Sequence, residues 1–189
     1  MLTMREWVPT SSSPKGRLAV AAVREFGARP FEEVTVGELA AAAKVTTGAI
    51  YHHFGSKLGL YGFVRHDVEQ RLLDRMEGAL AASGSTAPTQ RSAAVTAALL
   101  VGFDFAVREG FLRILGGPPA GTERDRLAEL LAGSAVPAQP VLGRVLAAAW
   151  REALAAVADG AGPGEARAAI DALGLDLSAR GKRGPADDA

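Results

Sequence analysis

The chain has 189 residues, 48% of them hydrophobic, and its 21 Lys+Arg balance 21 Asp+Glu. That length allows one compact domain, or a small one followed by a larger one. The absence of cysteine excludes disulfides, thiolate catalysis and cysteine-ligated zinc. No apolar run reaches the roughly 18 to 20 residues that span a bilayer. Met1 to Pro9 lacks a charged-then-apolar signal pattern, so a soluble cytoplasmic protein with no membrane partner is expected. The zero net charge is unevenly spread: residues 1–66 hold 8 Lys+Arg and 5 Asp+Glu, residues 67–189 hold 13 and 16. A mildly basic head on a mildly acidic body suits a head that meets nucleic acid.

The segments read as helical nearly throughout, with Gly/Pro clusters between Ala/Leu-rich stretches. Residues 1–13 form a loose arm. Ser13-Pro14 supplies an N-cap and a first-turn proline, and Leu18, Ala22 and Phe26 follow at helical spacing until Gly27 and Pro30 end the first helix. Thr35-Val36-Gly37-Glu38 is a capping box, with Val34 and Leu39 at the staple positions. A second helix therefore starts at Val36 and runs to about Ala43. Thr46 or Thr47 caps a third, which ends near Phe54-Gly55. Ser56 caps a long helix from Lys57 to about Ala82, weakened by Gly59 and Gly62 by up to about 1 kcal/mol each. A loop at 83–88 leads to a helix from Thr89 to about Leu115, strained or broken at Gly110. After Gly116-Gly117-Pro118-Pro119 come helices near Glu123–Ala132, Val141–Asp159 and Glu165–Leu173. The polar stretch 178–189 reads as a disordered tail.

Two short helices joined by about three residues can cross at a wide angle. Leu39, Ala43, Val45, Ile50 and Phe54 can form their shared apolar corner, since Ile50 and Phe54 are four apart on one face. Thr46, Thr47, Gly48 and Tyr51 then fall on or near the opposite face. Hydroxyls, a Thr methyl and a phenol suit the major groove of DNA. His52, His53 and Lys57 offer donors to phosphates, Lys57 at a helix N-terminus that itself favours an anion. His52 and His53 do not make a metal pair, because adjacent helical residues point about 100° apart and no third ligand stands at useful spacing.

Residues 15–60 resemble the N-terminal domain of the TetR (tetracycline-repressor) family of bacterial transcription regulators. The marks are Ala22, Phe26 and Gly27, then Thr35-Val36, Leu39-Ala40, and the run Val45-Thr46-Thr47-Gly48-Ala49-Ile50-Tyr51-His52-His53-Phe54-Gly55-Ser56-Lys57. The resemblance implies an all-α chain with a three-helix DNA-binding domain at 14–60 and a larger helical ligand-binding and dimerisation domain at 61–177. It implies base contacts at Thr47, Gly48, Ala49 and Tyr51, and backbone contacts at Thr35, Thr46, His52, His53 and Lys57. Three features depart from the pattern. Gly37 stands where helix two can carry a base-contacting side chain. Lys44 stands in the turn where Gly is frequent, at a strain of about 1 kcal/mol or more, with its charge available to phosphate. Leu58-Gly59 replaces charged, helix-favouring residues.

The body holds no Gly-rich phosphate loop, nucleophile elbow or metal motif, so neither enzyme activity nor a cofactor is expected. Its bulky groups have two readings, core packing or the lining of a small-molecule cavity. By resemblance the cavity set is Phe103, Phe105, Arg108, Phe111, Leu112, Leu115, Leu146 and Trp150. Asp104 and Arg108, four apart, read as a surface pair, and Arg113 and Arg151 as solvated, with an anionic ligand as the alternative. Val141, Val145, Ala149 and Ala153 on one helix, and Ala166, Ala169, Ile170 and Leu173 on the next, make apolar stripes. Two such helices can pack on a symmetry mate as a four-helix bundle, and the family dimerises through its last two main helices. The expectation is a homodimeric repressor, released from a palindromic DNA operator by a small-molecule ligand. The alternative is a DNA-binding module whose body binds a partner protein.

Overall fold

Ser13 opens the first helix, α1 (Pro14–Ala28), by accepting a hydrogen bond from the Gly16 N–H at 3.0 Å. The computed structural model describes residues 12–82, 88–119, 124–134 and 138–173. The expected arm up to residue 11, the loop at 83–87 and the tail at 178–189 lie outside these. After a single 3-10 turn at Phe31–Glu33 come α2 (Val36–Ala42), α3 (Thr47–Phe54) and α4 (Lys57–Ala82). The body continues with α5 (Pro88–Glu109), α6 (Leu112–Gly116), α7 (Arg126–Gly133), α8 (Pro140–Ala158) and α9 (Pro163–Asp171). No strand occurs among the described residues, and none of their helices is long and apolar enough to cross a membrane.

The helix expected from Thr89 to Leu115 is two helices. Gly110 at φ 74° is the break, a left-handed backbone that glycine enters without a Cβ penalty. The Gly110 turn lies against α1, where a Cβ on Gly27 would stand 2.3 Å from the Gly110 carbonyl oxygen. Glycine at 27 therefore permits α1 to touch the body backbone directly. Gly59 has a similar cause. A Cβ there would lie 2.0 Å from the Phe54 carbonyl oxygen, so its helix-weakening effect accompanies a close turn between α3 and α4.

One continuous apolar core runs from Leu18, Phe26 and Ile50 in the head, along Leu60, Val64 and Leu72 of α4, to Phe103, Leu127 and Trp150 in the body. Arg65, 8% exposed, crosses from α4 and donates to the carbonyls of Ile114 (2.8 Å) and Gly117 (2.7 Å). These are carbonyls at the end of α6 that the helix itself leaves without partners. In the body, Arg151 of α8 makes a bidentate pair with Asp125, both distances 2.7 Å. Asp125 in turn accepts from the Ala128 N–H and caps α7. Arg151 is thus a buried tie, not the solvated group its sequence suggests. Arg113 similarly donates to the Ala158 carbonyl at 2.8 Å.

Candidate nucleic-acid interface

The helix-turn-helix is held from both sides. Thr35 Oγ1 accepts from the Glu38 N–H at 3.2 Å, and the Glu38 carboxylate accepts from the Thr35 N–H at 2.8 Å, which is the expected capping box. The Thr35 hydroxyl also lies 2.7 Å from Glu38 Oε2, and Arg29 reaches Oε1 at 3.0 Å. The hydroxyl and backbone hydrogen bonds from Thr35, with Arg29, lower the Glu38 pKa from 4.5 to about 2. A carboxyl with a lowered folded-state pKa stabilises the fold above its unfolded value, and that contribution is lost as pH falls through the folded value. Acid unfolding is therefore expected to be less steep between about pH 4.5 and 2 in Glu38→Gln than in the parent. Urea midpoints across that range check this, and parallel curves would remove the capping box from the acid response.

The turn after α2 is a Schellman motif. The Lys44 N–H bonds to the Ala41 carbonyl and the Val45 N–H to the Ala40 carbonyl, with Lys44 at φ 54°. This geometry usually employs glycine, so Lys44 bears the expected left-handed strain while its side chain stays exposed. Arg17 secures the same turn from α1 through Nε to the Ala43 carbonyl at 3.0 Å. Nothing at local spacing announces that bond, which spans 26 residues.

Across the turn, α3 buries Ile50 completely and packs Ala49 and Phe54 against the core. Its other side presents Thr47, Gly48, Tyr51 and His52 to solvent, beside exposed Thr46 and half-buried His53. Tyr51 is 56% exposed, so it is not a core aromatic. Gly48 has room for a side chain, since the nearest atom to an added Cβ would be Thr46 Oγ1 at 3.7 Å. The interior does not demand glycine there. Lys57 is placed differently from the other cations. Its ammonium donates to the carbonyls of Phe31 and Val34, both at 2.9 Å, and sits 4.1 Å from the Phe31 ring centroid. Two of its three donors are thereby turned into the head, leaving one for any other partner.

The residues expected to line a cavity are mostly packed together. Phe105, Phe111, Leu115, Leu146 and Trp150 are at most 5% exposed and belong to the continuous core. Trp150 Nε1 donates to the Leu99 carbonyl at 3.0 Å, and Phe105 meets Phe111 edge-on at 5.4 Å. Phe103, 1% exposed, belongs to the same core, and with Arg108 it underlies a shallow depression of about 200 Å³ beside Pro163 and Arg167. Leu112 faces a separate crevice between head and body. Asp104 does not pair with Arg108. It pairs with Arg167 of α9 at 3.0 Å, and Arg108 turns to Glu109.

The apolar stripes of α8 and α9 divide. Val141 (64%), Val145 (58%) and Leu173 (40%) are exposed, as is Ala169. Ala149 and Ala153 are half-buried, and Ala166 and Ile170 point into the chain's own core. The period of the stripe alone could not separate these inner and outer members.

Residues 18–62 match the family model of the bacterial regulatory proteins of the tetR family. The fold is similar to that of a TetR-like transcriptional regulator from Rhodococcus sp. RHA1, with 22% identity, coverage of 85% of this chain and 93% of that one, and a TM-score of 0.61. A TetR family repressor, AlkX, from Dietzia sp. strain DQ12-45-1b, implicated in biodegradation of n-alkanes, shares 17% identity over 88% of this chain and 96% of its own, at a TM-score of 0.46. No curated protein matches the chain. Residues 18–62 are thus similar to the N-terminal domain of the tetR family of bacterial regulatory proteins, and the chain as a whole shares the fold of a TetR-like transcriptional regulator.

Proposed function

We propose that the chain is a homodimeric repressor that reads a palindromic operator through the outward face of α3. The observation that carries this reading is the face itself. Thr46, Thr47 and Tyr51 stand exposed around Gly48, a glycine with space for a side chain and a normal helical setting. A bare helix surface there lets the backbone approach a base edge closely while Tyr51 and the threonines make contact. Lys44, His52 and His53 border the face and serve the phosphates, with Thr35 and Lys57 held behind it by their own hydrogen bonds. Salt-dependent affinity follows from Lys44 and Lys57.

Dimerisation is assigned to the exposed apolar residues Val141 and Val145 of α8, Ala169 of α9 and Leu173 in the turn just after it. Three of them are among the largest exposed hydrophobic side chains of the described residues, and such a patch is costly to leave in water. Two-fold symmetry would set two α3 helices one turn of DNA apart, about 34–36 Å. A ligand that favours one head separation over the other would release DNA by that difference in affinity. The tight packing of the expected cavity residues gives some support to the second reading, in which a partner protein rather than a small molecule acts on the body.

Selection of the purified protein against a random DNA pool at moderate salt tests the proposal. An enriched palindrome is expected, and its half-site spacing reports the dimer geometry; failure to enrich any sequence opposes the operator reading. On the enriched site, Tyr51→Ala is expected to weaken binding by about 1–3 kcal/mol with the dimer intact. Unchanged affinity would remove Tyr51 from the interface.

A further inference from the structure

We propose that the crevice between head and body binds a small organic cation with a flat apolar group. The crevice measures about 260 Å³, below the roughly 300–1,000 Å³ of sites for drug-sized ligands, so its occupant is small. Its head side is built from three rings in mutual contact: Phe26 to Phe31 at 5.6 Å, Phe26 to Tyr61 at 5.1 Å and Phe31 to Tyr61 at 5.1 Å. Its body side is Leu112 with the small residues of α6 and α8, and its rim carries Glu32, Arg113 and Asp159.

The charges on that rim select the sign of the ligand. Arg113 turns its Nη2 to the Ala158 carbonyl at 2.8 Å and lies 3.5 Å from Asp159, whose carboxylate offsets its charge. Glu32 forms no ion pair among the described residues, so the rim has one carboxylate in surplus. Ring faces add negative quadrupole, and a cation within about 6 Å of a ring centroid gains about 0.5–2 kcal/mol. The protein itself shows this affinity, since the Lys57 ammonium rests on Phe31 at 4.1 Å without lining the crevice. An anion would meet the same rings and Glu32 unfavourably. A molecule held there touches α1, the 3-10 turn and α4 on one side and α6 and α8 on the other, so it stabilises this disposition of head and body over any other.

The test is calorimetric titration of the full chain, without DNA, with benzyltrimethylammonium and with phenylacetate as its anionic counterpart. Because no operator is involved, the outcome is independent of the repressor reading. Benzyltrimethylammonium is expected to bind one per chain, and phenylacetate about tenfold more weakly or not at all. Glu32→Gln, at an exposed position that should not affect folding, is expected to weaken the cation about threefold or more. Tyr61→Leu is expected to weaken it about tenfold. No heat of cation binding at millimolar concentration overturns the proposal, as does equal binding of phenylacetate. A cation affinity that Glu32→Gln leaves unaltered overturns it as well, whether or not Tyr61→Leu folds.

Discussion

Trp150→Ala is expected to lower the stability of the whole chain by about 3–5 kcal/mol, the range for truncating a buried aromatic. Trp150 is 1% exposed and among the largest fully buried side chains. Its indole N–H bonds to the Leu99 carbonyl at 3.0 Å, which fixes α8 against α5. No smaller side chain can fill that volume without movement of both helices. Because a single core joins head and body, the loss is expected in one unfolding transition rather than in the body alone. For a chain of this size it corresponds to a fall in Tm of about 10 °C. Trp150→Phe separates the two contributions: it keeps most of the ring and loses the N–H, and its cost is expected to be smaller. Thermal melts of both variants decide. A Trp150→Ala protein within about 1 kcal/mol of the parent would show that the ring is not packed as described.

What was legible in the sequence is what local spacing encodes. The capping box at Thr35 and Glu38, the Ser13-Pro14 start and the span Lys57–Ala82 all appear where the sequence places them, because caps, first-turn prolines and helical periodicity act within one or two turns. The alternation of Ile50 and Tyr51 between core and solvent follows from the same geometry. Groups acting over long separations were hidden. Arg17, Arg65 and Arg151 look like ordinary surface cations, yet each finds its partner 26 to 52 residues away. Asp104 shows how such a partner can prevail over a local one. Arg108 stands at the favourable i+4 position, but α9 brings Arg167 within 3.0 Å, and an exposed i,i+4 pair is worth only about 0.3–0.5 kcal/mol. The body's aromatic residues were ambiguous for a different reason. A cavity wall and a packed core need the same side chains at the same period, and only the approach of neighbouring helices distinguishes them.

Arg151→Ala is expected to cost about 3 kcal/mol, the lower end for removing one partner of a buried ion pair. The lower end applies because the two side chains differ in exposure, 9% for Arg151 and 29% for Asp125. Water can therefore reach part of the carboxylate that the substitution strands. The pair also acts beyond its own two charges, since Asp125 caps α7 through the Ala128 N–H at 3.0 Å, and α7 packs closely enough on α8 that a Cβ at Gly143 would meet the Ala128 carbonyl at 2.2 Å. Burial alone would raise the Asp125 carboxyl. The Arg151 and Ala128 hydrogen bonds, with the nearby guanidinium charges, outweigh burial and hold it below its ordinary value of 3.8. The resulting stabilisation is complete above that value and is lost as pH falls through the lowered one. Arg151→Ala should thus unfold more readily at pH 7 and show a shallower loss of stability below about pH 4. A double-mutant cycle with Asp125→Ala gives the pair's coupling directly. Additive single losses would mean that Arg151 stabilises the body through packing of its stem alone, whereas a double mutant less damaged than the sum shows that the stranded carboxylate carries much of the cost.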